Sequence, residues 1–387
     1  MSRLQKITLS FLLVGIFILC VLVSYSAYAL WQKPLGPALE LAKSTYPPQA
    51  TFPPTWTPLA EKGLAPGHPP TGTPAPEFGT PTPAAIPLCG GPPVMTILAI
   101  GSDQRGDMYN YGLGDVIRLV RVDFVKGSVS IMSFPRDLYV EIPGISDHYD
   151  ITHGKINQAY LYGNNGFGYY DGADFGPGLM AKTLAHTFGA QPDHYIAVNM
   201  QTFVRIVNAV GGIYVDLPQT IDGRAKDQPD RKDLLFYAGV HHLNGKQALQ
   251  LARLRPYGSF ERSSAQNEVL CGLYKELVTP YVMRDIPNII RSFENNVQTD
   301  LSPADISQLT CLGTQLKGAD ITFLNWPENI FIGKRTNDPI LGYTYILETD
   351  FSIIREYVDA FARGEWPATD QNTSSVPSDF APQSFCD

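Results

Sequence analysis

The sequence predicts a layered α-β-α domain, a central β-sheet between helices, preceded by one N-terminal transmembrane helix. Three observations predict it. Ile7–Leu30 is an uncharged run of 24 residues, the stretch after it is dominated by proline, and from Val94 β-branched runs alternate with helical apolar spacing. With 387 residues and 44% apolar content the chain can build one large core. Aromatics at 11% and a net charge of only −8 exclude wholesale disorder. The acidic balance excludes a generic polyanion binder, nucleic acid included. Charged residues make up 17%, below the usual quarter or so, so uncharged segments dilute them.

That dilution begins at the N-terminus. Residues 1–6 hold Arg3 and Lys6 and no acid, which keeps this end in the cytoplasm and makes 7–30 a signal anchor. A cleaved signal peptide competes, because Ala27-Tyr28-Ala29 resembles a cleavage site, but the apolar run is longer than a usual signal core. Cys20 follows Ile18-Leu19 rather than a small residue, which speaks against a lipoprotein anchor. Both readings put the rest of the chain outside the cytoplasm. Residues 31–93 read as a Pro/Thr-rich linker, with fifteen prolines between Pro47 and Pro93 that deny donors to helix or ladder. Its use is reach.

Residues 94–365 read as one globular domain and 366–387 as a low-complexity tail. Strands are expected at Val94–Ile100, Val116–Val125, Ser128–Phe134, Leu138–Ile142, Asp193–Val198 and Ile213–Leu217, each bounded by Gly, Pro or Asp. Helices are expected at Gly178–Phe188, Gln201–Val210, Gly245–Arg255, Ala265–Leu277, Pro303–Leu316 and Phe351–Phe361, with Asn244 as an N-cap. Five cysteines fit an oxidising compartment. With Cys20 in the apolar run, the other four permit three pairings. Helical patterns around Cys271 and Cys311 favour that pair, leaving Cys89 and Cys386 to clasp the domain ends. No two cysteines have zinc-ligand spacing.

The familiar catalytic signatures are missing. There is no Gly-x-Ser-x-Gly elbow, no phosphate loop around the Gly-Lys pairs, and no pair of histidines one helical turn apart. What stands out is Asp and Arg at strand ends. The first strand runs into Gly101-Ser102-Asp103-Gln104-Arg105, Asp115 opens the next, and the hairpin after it ends in Pro135-Arg136-Asp137. Carboxylates at adjacent strand ends suit a hard divalent cation, and the planar fork of arginine suits phosphate oxygens. Together they point to a phosphoryl-centred reaction driven by charge neutralisation. Taken alone, the same residues also read as turn-forming Asp and solvated Arg.

Further motifs turn this into a resemblance. Ile97–Arg105, Asp115–Asp123, Ser133–Gly144, Lys155–Tyr160, Asp193–Tyr195, Ala209–Ile213, Leu243–Leu249 with Arg253-Leu254-Arg255, and Thr299–Ser302 follow in order the text of the LytR-CpsA-Psr proteins of bacterial envelopes. The chain resembles that family over most of Val94–Leu277, with Gln158 where histidine is usual. The resemblance implies a central mixed sheet between helices and a magnesium-dependent phosphotransferase. It would move a glycan phosphate from a polyprenyl pyrophosphate carrier to a cell-wall acceptor hydroxyl. The partners implied are the polyprenyl (pyro)phosphate-linked glycan, the cell-wall polymer, and the membrane through the N-terminal helix. It also implies a single-pass protein whose C-terminal domain is extracytoplasmic.

By the same resemblance Asp103 and Asp115 organise Mg²⁺ (or Mn²⁺), and one of them takes the acceptor's proton. Arg136 holds the pyrophosphate, Lys155, Arg253, Arg255 and Arg262 complete a basic ring, and Arg105 orients Asp103 or reaches phosphate. Helices Gly178–Phe188 and Gln201–Val210 are the expected walls of a lipid tunnel. Two family arginines are replaced, by Leu113 and Ala265. The replacements make Arg118, Arg121 and Arg224 candidate substitutes. They also keep open a lipid pyrophosphatase and a non-catalytic binder of envelope lipid phosphates. A transcription regulator is the weakest reading, since six cytoplasmic residues cannot read DNA.

Overall fold

The sheet is built from the centre outward by β1 (Val94–Ser102), β2 (Gly114–Asp123) and β3 (Ser128–Ser133), an antiparallel meander rich in β-branched residues whose first two strands are joined by a loop and whose last two by a short turn. In this computed structural model the described residues are 3–41, 85–106, 109–225, 227, 230–254, 259–279, 296–324, 326, 330–338, 341–366, 383–384 and 386. Side chains of 3–13, 259–263 and 383–384 lie outside that description. The architecture below belongs to the unit formed by Met1–Leu41 and Pro87–Asp387.

A short hairpin, β4 (Tyr139–Glu141) with β5 (His153–Lys155), leads into α2 (Ile156–Gly163) and α3 (Phe175–Phe188). The chain then returns as β6 (His194–Asn199), parallel to β1, and continues through α4 (Met200–Ala209), β7 (Ile213–Leu217), β8 (Ile221–Asp222), β9 (Leu235–Phe236) and β10 (Gly239–Leu243). Helices α5 (Gly245–Arg253) and α6 (Ser259–Leu277) precede β11 (Val297–Thr299), α7 (Pro303–Gly313) and β12 (Ile321–Leu324). The hairpin β13 (Ile332–Asp338) and β14 (Gly342–Glu348), α8 (Phe351–Arg363) and β15 (Gln383–Ser384) complete it. The main sheet runs β11-β6-β1-β2-β3-β12-β15, with β1/β6 and β3/β12 parallel and the rest antiparallel. The mixed sheet between helices agrees with the sequence.

Side chains on alternate strand positions enter different cores. Leu98, Ile100, Ile117 and Leu119 pack with α2, α3 and α8, while Met95, Ile97, Val122 and Phe124 pack with Leu301 and Leu312. A third cluster joins α4, α5 and α6 to β7 and β10 through Val207, Leu251, Ala265 and Val269. The helix ends are set by local chemistry. Asn199 accepts from Thr202 N at 2.8 Å to start α4, and Asn244 with Gln247 makes a capping box on α5. Ser302 caps α7 with Pro303 behind it.

Helix α1 (Arg3–Trp31) is 29 residues, about 43 Å long at 1.5 Å per residue. Its Val14–Trp31 stretch has mean hydropathy 2.0, long and apolar enough to cross a membrane. The residues after it are fastened to the domain. Leu35 N donates to Leu301 O at 3.2 Å, Tyr195 Oη to Pro37 O at 3.0 Å, and Glu40 N to Asp174 Oδ2 at 3.0 Å. Residues 383, 384 and 386 are likewise built in, beside β12. The domain's fabric therefore reaches beyond 94 and 365 on both sides.

The disulfides correct the favoured pairing. They join Cys89 to Cys311 and Cys271 to Cys386. Helix α7 lies against the turn at 88–90, where Gln308 Nε2 reaches Gly90 O at 3.1 Å, so Cys311 meets the domain's entry. The C-terminal segment returns to the sheet edge as β15 and brings Cys386 to α6.

Candidate functional site

The site forms on the side of the sheet where β1 and β6 end and β2 begins. The register of β1 against β2 slips between Gly101 and Ser102, and the loop that follows carries Asp103. That loop closes on itself. Leu113 N donates to Asp103 Oδ1 at 2.7 Å, and Asp103 N donates to Leu113 O at 3.0 Å. Gly112 turns it at φ 149°, and a Cβ there would sit 2.6 Å from Ser102 Oγ. Leu113 thus serves the loop through its backbone, whatever its side chain.

Asp115, the second residue of β2, pairs with Arg136, which the Pro135 turn projects from the end of β3. Asn157 Nδ2 donates to the other Asp115 oxygen at 3.3 Å. Arg136 Nε also lies 3.6 Å from Asp137, whose Oδ1 accepts from Lys155 Nζ at 3.0 Å. Acids and bases alternate along this row, Asp115, Arg136, Asp137, Lys155. Lys155 stands just before α2, where Gln158 accepts its backbone N–H at 2.6 Å and donates to Tyr162 Oη at 2.7 Å. Glutamine here is therefore a helix-start bracket. Burial most, then the neighbouring Asp115 charge, push the Asp103 carboxyl above its ordinary value, against the Leu113 N–H and the arginines. Burial opposes the charge on Arg136, but its bond to Asp115 prevails and raises it.

Beneath the acids lies a cavity of about 400 Å³, walled by Ala99, Val116 and Val198 from the sheet and Phe203, Leu249 and Val269 from helices. Its few polar residues are Ser102, Asp115, Arg118, Asn199, Arg253 and Gln266. Helix α4 is a wall, as expected. Helix α3 is not. Leu179, Met180 and Leu184 are fully buried in the core with Leu98 and Ile100, and α5 and α6 close the cavity instead.

The structure brings Asp103, Asp115, Arg136 and Lys155 together and puts Arg253 on the cavity wall. Arg105 is exposed on the Asp103 loop, near enough to act on that carboxylate through its charge. Arg255 lies outside the described residues, and Arg262 is on α6 with its side chain outside them. Of the candidate substitutes, Arg118 lines the cavity. Arg121 pairs with Asp123 at 3.1 Å and reaches Ala362 O at 3.3 Å, and Arg224 pairs with Asp222 at 2.8 Å on an exposed hairpin.

Asn157 and Asn199 were not singled out from sequence. Asn199 caps α4 and donates to Gly106 O at 3.1 Å, tying β6 to the Asp103 loop. Its Asn-x-x-Thr spacing before an apolar helix was the available signal. Asn157 is buried, and its Oδ1 has no hydrogen-bond partner among the described residues.

Among the described residues no group of three or more His, Cys, Asp or Glu is placed to hold a metal. The donor set suits an ion that needs fewer protein ligands. Mg²⁺ takes one or two carboxylates and fills its shell with water and substrate phosphate. Asp103 and Asp115 would be those two, and a divalent cation would offset the Asp115 charge that adds to burial in raising Asp103.

Comparison with known proteins places the fold. The LytR_cpsA_psr family model matches residues 92–352. The chain is 28% identical over 269 residues to the regulatory protein MsrR of Staphylococcus aureus, covering 68% of this chain and 74% of MsrR. It is 32% identical over 213 residues to the polyisoprenyl-teichoic acid–peptidoglycan teichoic acid transferase TagU of Bacillus cereus, covering 54% of this chain and 61% of TagU. The crystal structure of B. subtilis TagV superposes with a TM-score of 0.52 at 24% identity, over 69% of this chain and 96% of TagV, and shares the fold. A family match spanning residues 92–352, most of the chain, makes this protein a member of the LytR_cpsA_psr family.

Proposed function

We propose that this chain is a membrane-anchored, extracytoplasmic phosphotransferase. It moves a glycan phosphate from a polyprenyl pyrophosphate carrier to a cell-wall acceptor hydroxyl. The observation that carries this reading is the apolar cavity lined by Asp115 and Arg253, with Arg136 bonded to Asp115 and Asp103 near enough to feel the Asp115 charge. Apolar walls suit a lipid chain, and the charged residues beside them suit a pyrophosphate. The name of TagU, a transferase of teichoic acid to peptidoglycan, supports the same donor and acceptor classes.

Arg136 and Arg253 neutralise the pyrophosphate oxygens as the transferring phosphorus changes partners. The acceptor oxygen bonds to that phosphorus, the bond to the carrier phosphate breaks, and polyprenyl phosphate leaves. Asp103 takes the hydroxyl proton. Its Oδ2 accepts no hydrogen bond among the described residues, and its proton affinity is raised. Asp115, tied to Arg136 and Asn157, holds position instead. Mg²⁺ or Mn²⁺ on the two aspartates would supply further charge neutralisation. The apolar α1 and two disulfides support a single-pass protein with its domain in an oxidising compartment.

Purified protein, Mg²⁺, a polyprenyl pyrophosphate sugar and peptidoglycan oligomers test the reading. Phosphate-linked glycan on the acceptor is the expected product. Equal carrier consumption without acceptor would identify a pyrophosphatase, and lipid binding without turnover would identify a binder.

A further inference from the structure

A row of aromatic rings runs outward from the loop that carries Asp103. Tyr111 lies in that loop, and its Oη donates to Gly166 O at 3.0 Å while Gly166 N donates to Asn110 O at 3.1 Å. The Asp103 loop is thereby laced to the loop between α2 and α3. Only glycine fits at 166, because a Cβ there would meet Asn110 O and the Tyr111 ring. Phe167 sits edge-on to Tyr111 at 5.5 Å, Tyr169 lies 5.2 Å from Phe167, and His148 stacks on Tyr169 at 4.6 Å. Tyr149 ends the row, 6.2 Å from Tyr169, and the buried Tyr162 backs Phe167 and Tyr169. Tyr111, Phe167 and Tyr149 are 52%, 37% and 81% exposed.

Tyr149 stands out among them. Its backbone is left-handed, φ 58°, and so is that of Asp150, φ 54°. A tyrosine holds that conformation at a cost, and burial does not offset it, because the ring stays in solvent. Charge narrows what the row can take. Residues 138–154 and 156–181, which hold four of the five rings, contain no lysine or arginine, and Asp147, Asp150 and Asp171 stand exposed among them. Such a surface repels a phosphate-rich polymer. It suits pyranose rings, whose C–H faces stack on the negative faces of aromatic rings and whose hydroxyls donate to carboxylates. The row also belongs to the α2–α3 side of the sheet, whereas the cavity is closed by α4, α5 and α6. We propose that the row is a docking surface for the glycan of the cell-wall acceptor, whose sugar rings stack on Tyr149, Phe167 and Tyr111 and lead a hydroxyl to Asp103. Carrier and acceptor then reach the Asp103 loop from opposite faces of the sheet. The proposal rests on the transfer reading above and adds the path of the acceptor.

Calorimetric titration of the full chain in detergent with N-acetylchitotetraose, an uncharged chain of pyranose rings, reads the surface without any carrier. Wild type should bind it and should not bind polyglycerol phosphate. Tyr149→Gly frees the left-handed backbone, so its melting temperature should not fall, yet its glycan affinity should drop about 2- to 10-fold, the size of one aromatic contact. Phe167→Ala should weaken glycan binding likewise. In the transfer assay both variants should raise the acceptor KM by a similar factor and leave the carrier KM at its wild-type value. Wild type that ignores the tetraose or prefers the polyanion overturns the surface, as does wild-type glycan affinity in either folded variant, and the carrier reading survives each. A Tyr149→Gly variant that loses stability together with affinity assigns the ring to structure and overturns its role. Glycan binding that depends on Tyr149 in a chain that transfers nothing keeps the surface and overturns the transfer reading instead.

Discussion

In the proposed reaction Asp103 and Arg136 divide the work beside the cavity, and each division can be measured. The Asp103 carboxyl is raised above 3.8, first by burial and also by Asp115. The folded chain therefore binds this proton more tightly than the unfolded chain. Its ionisation costs stability as pH rises past 3.8, with the full cost present above the folded value. Asp103→Asn keeps an oxygen for Leu113 N and should raise the melting temperature at neutral pH, the gain shrinking as pH falls through the carboxylate range. A variant no more stable than wild type at pH 7 would contradict the assignment. Mg²⁺ should stabilise wild type against heat and do less for the variant. Arg136→Ala should cut transfer by about 100- to 1000-fold, as for a donor lost from a charge-stabilising site, while circular dichroism stays native. Wild-type turnover in that variant would remove Arg136 from the site. Asp103, Asp115 and Arg136 were legible in the sequence because strand ends are marked by Gly, Pro and Asp. Arg118 was only one of three candidates, because its place on the cavity depends on a strand register and on α6.

Two helices looked alike in sequence and differ in use. Both α3 and α4 have apolar residues at helical spacing, and both sheet faces are apolar, so periodicity cannot say which face carries the cavity. The chain path decides it. Helix α3 packs into the main core before β6, whereas α4 leaves the C-terminal end of β6 beside Asp103 and covers Ile196 and Val198. The two roles predict opposite outcomes. Leu184→Ala in α3 should cost about 2–5 kcal/mol in denaturant unfolding and leave lipid affinity unchanged. Phe203→Asp in α4 puts a charge on the cavity wall and should abolish lipid binding with a smaller loss of stability. Lipid binding that follows Leu184 rather than Phe203 would return the tunnel to α3.

At the scale of the whole chain, the ends are what sequence patterns could not place. Two cysteines in helical patterns suggested a helix-to-helix staple, but pairing is fixed by which segments share a sheet edge. Cys386 reaches α6 only because β15 pairs with β12, and Cys89 reaches Cys311 only because α7 packs against the entry turn. The bridges close 222 and 115 residues, and loop-closure entropy assigns each about 5 kcal/mol at most, with little difference between them. Their effects on ligand binding should differ far more. Cys271 lies on the helix that also presents Gln266, Asn267 and Val269, so its bridge anchors the cavity wall to the C-terminus. Cys89–Cys311 ties α7 to the other end of the domain. Replacing Cys271 and Cys386 by serine should therefore weaken polyprenyl phosphate binding as well as stability. The Cys89/Cys311 double serine variant should lose comparable stability and keep its affinity. Peptide mapping without reductant should recover 89–311 and 271–386. A 271–311 peptide, or equal loss of lipid affinity in both variants, would detach the cavity wall from the C-terminal segment.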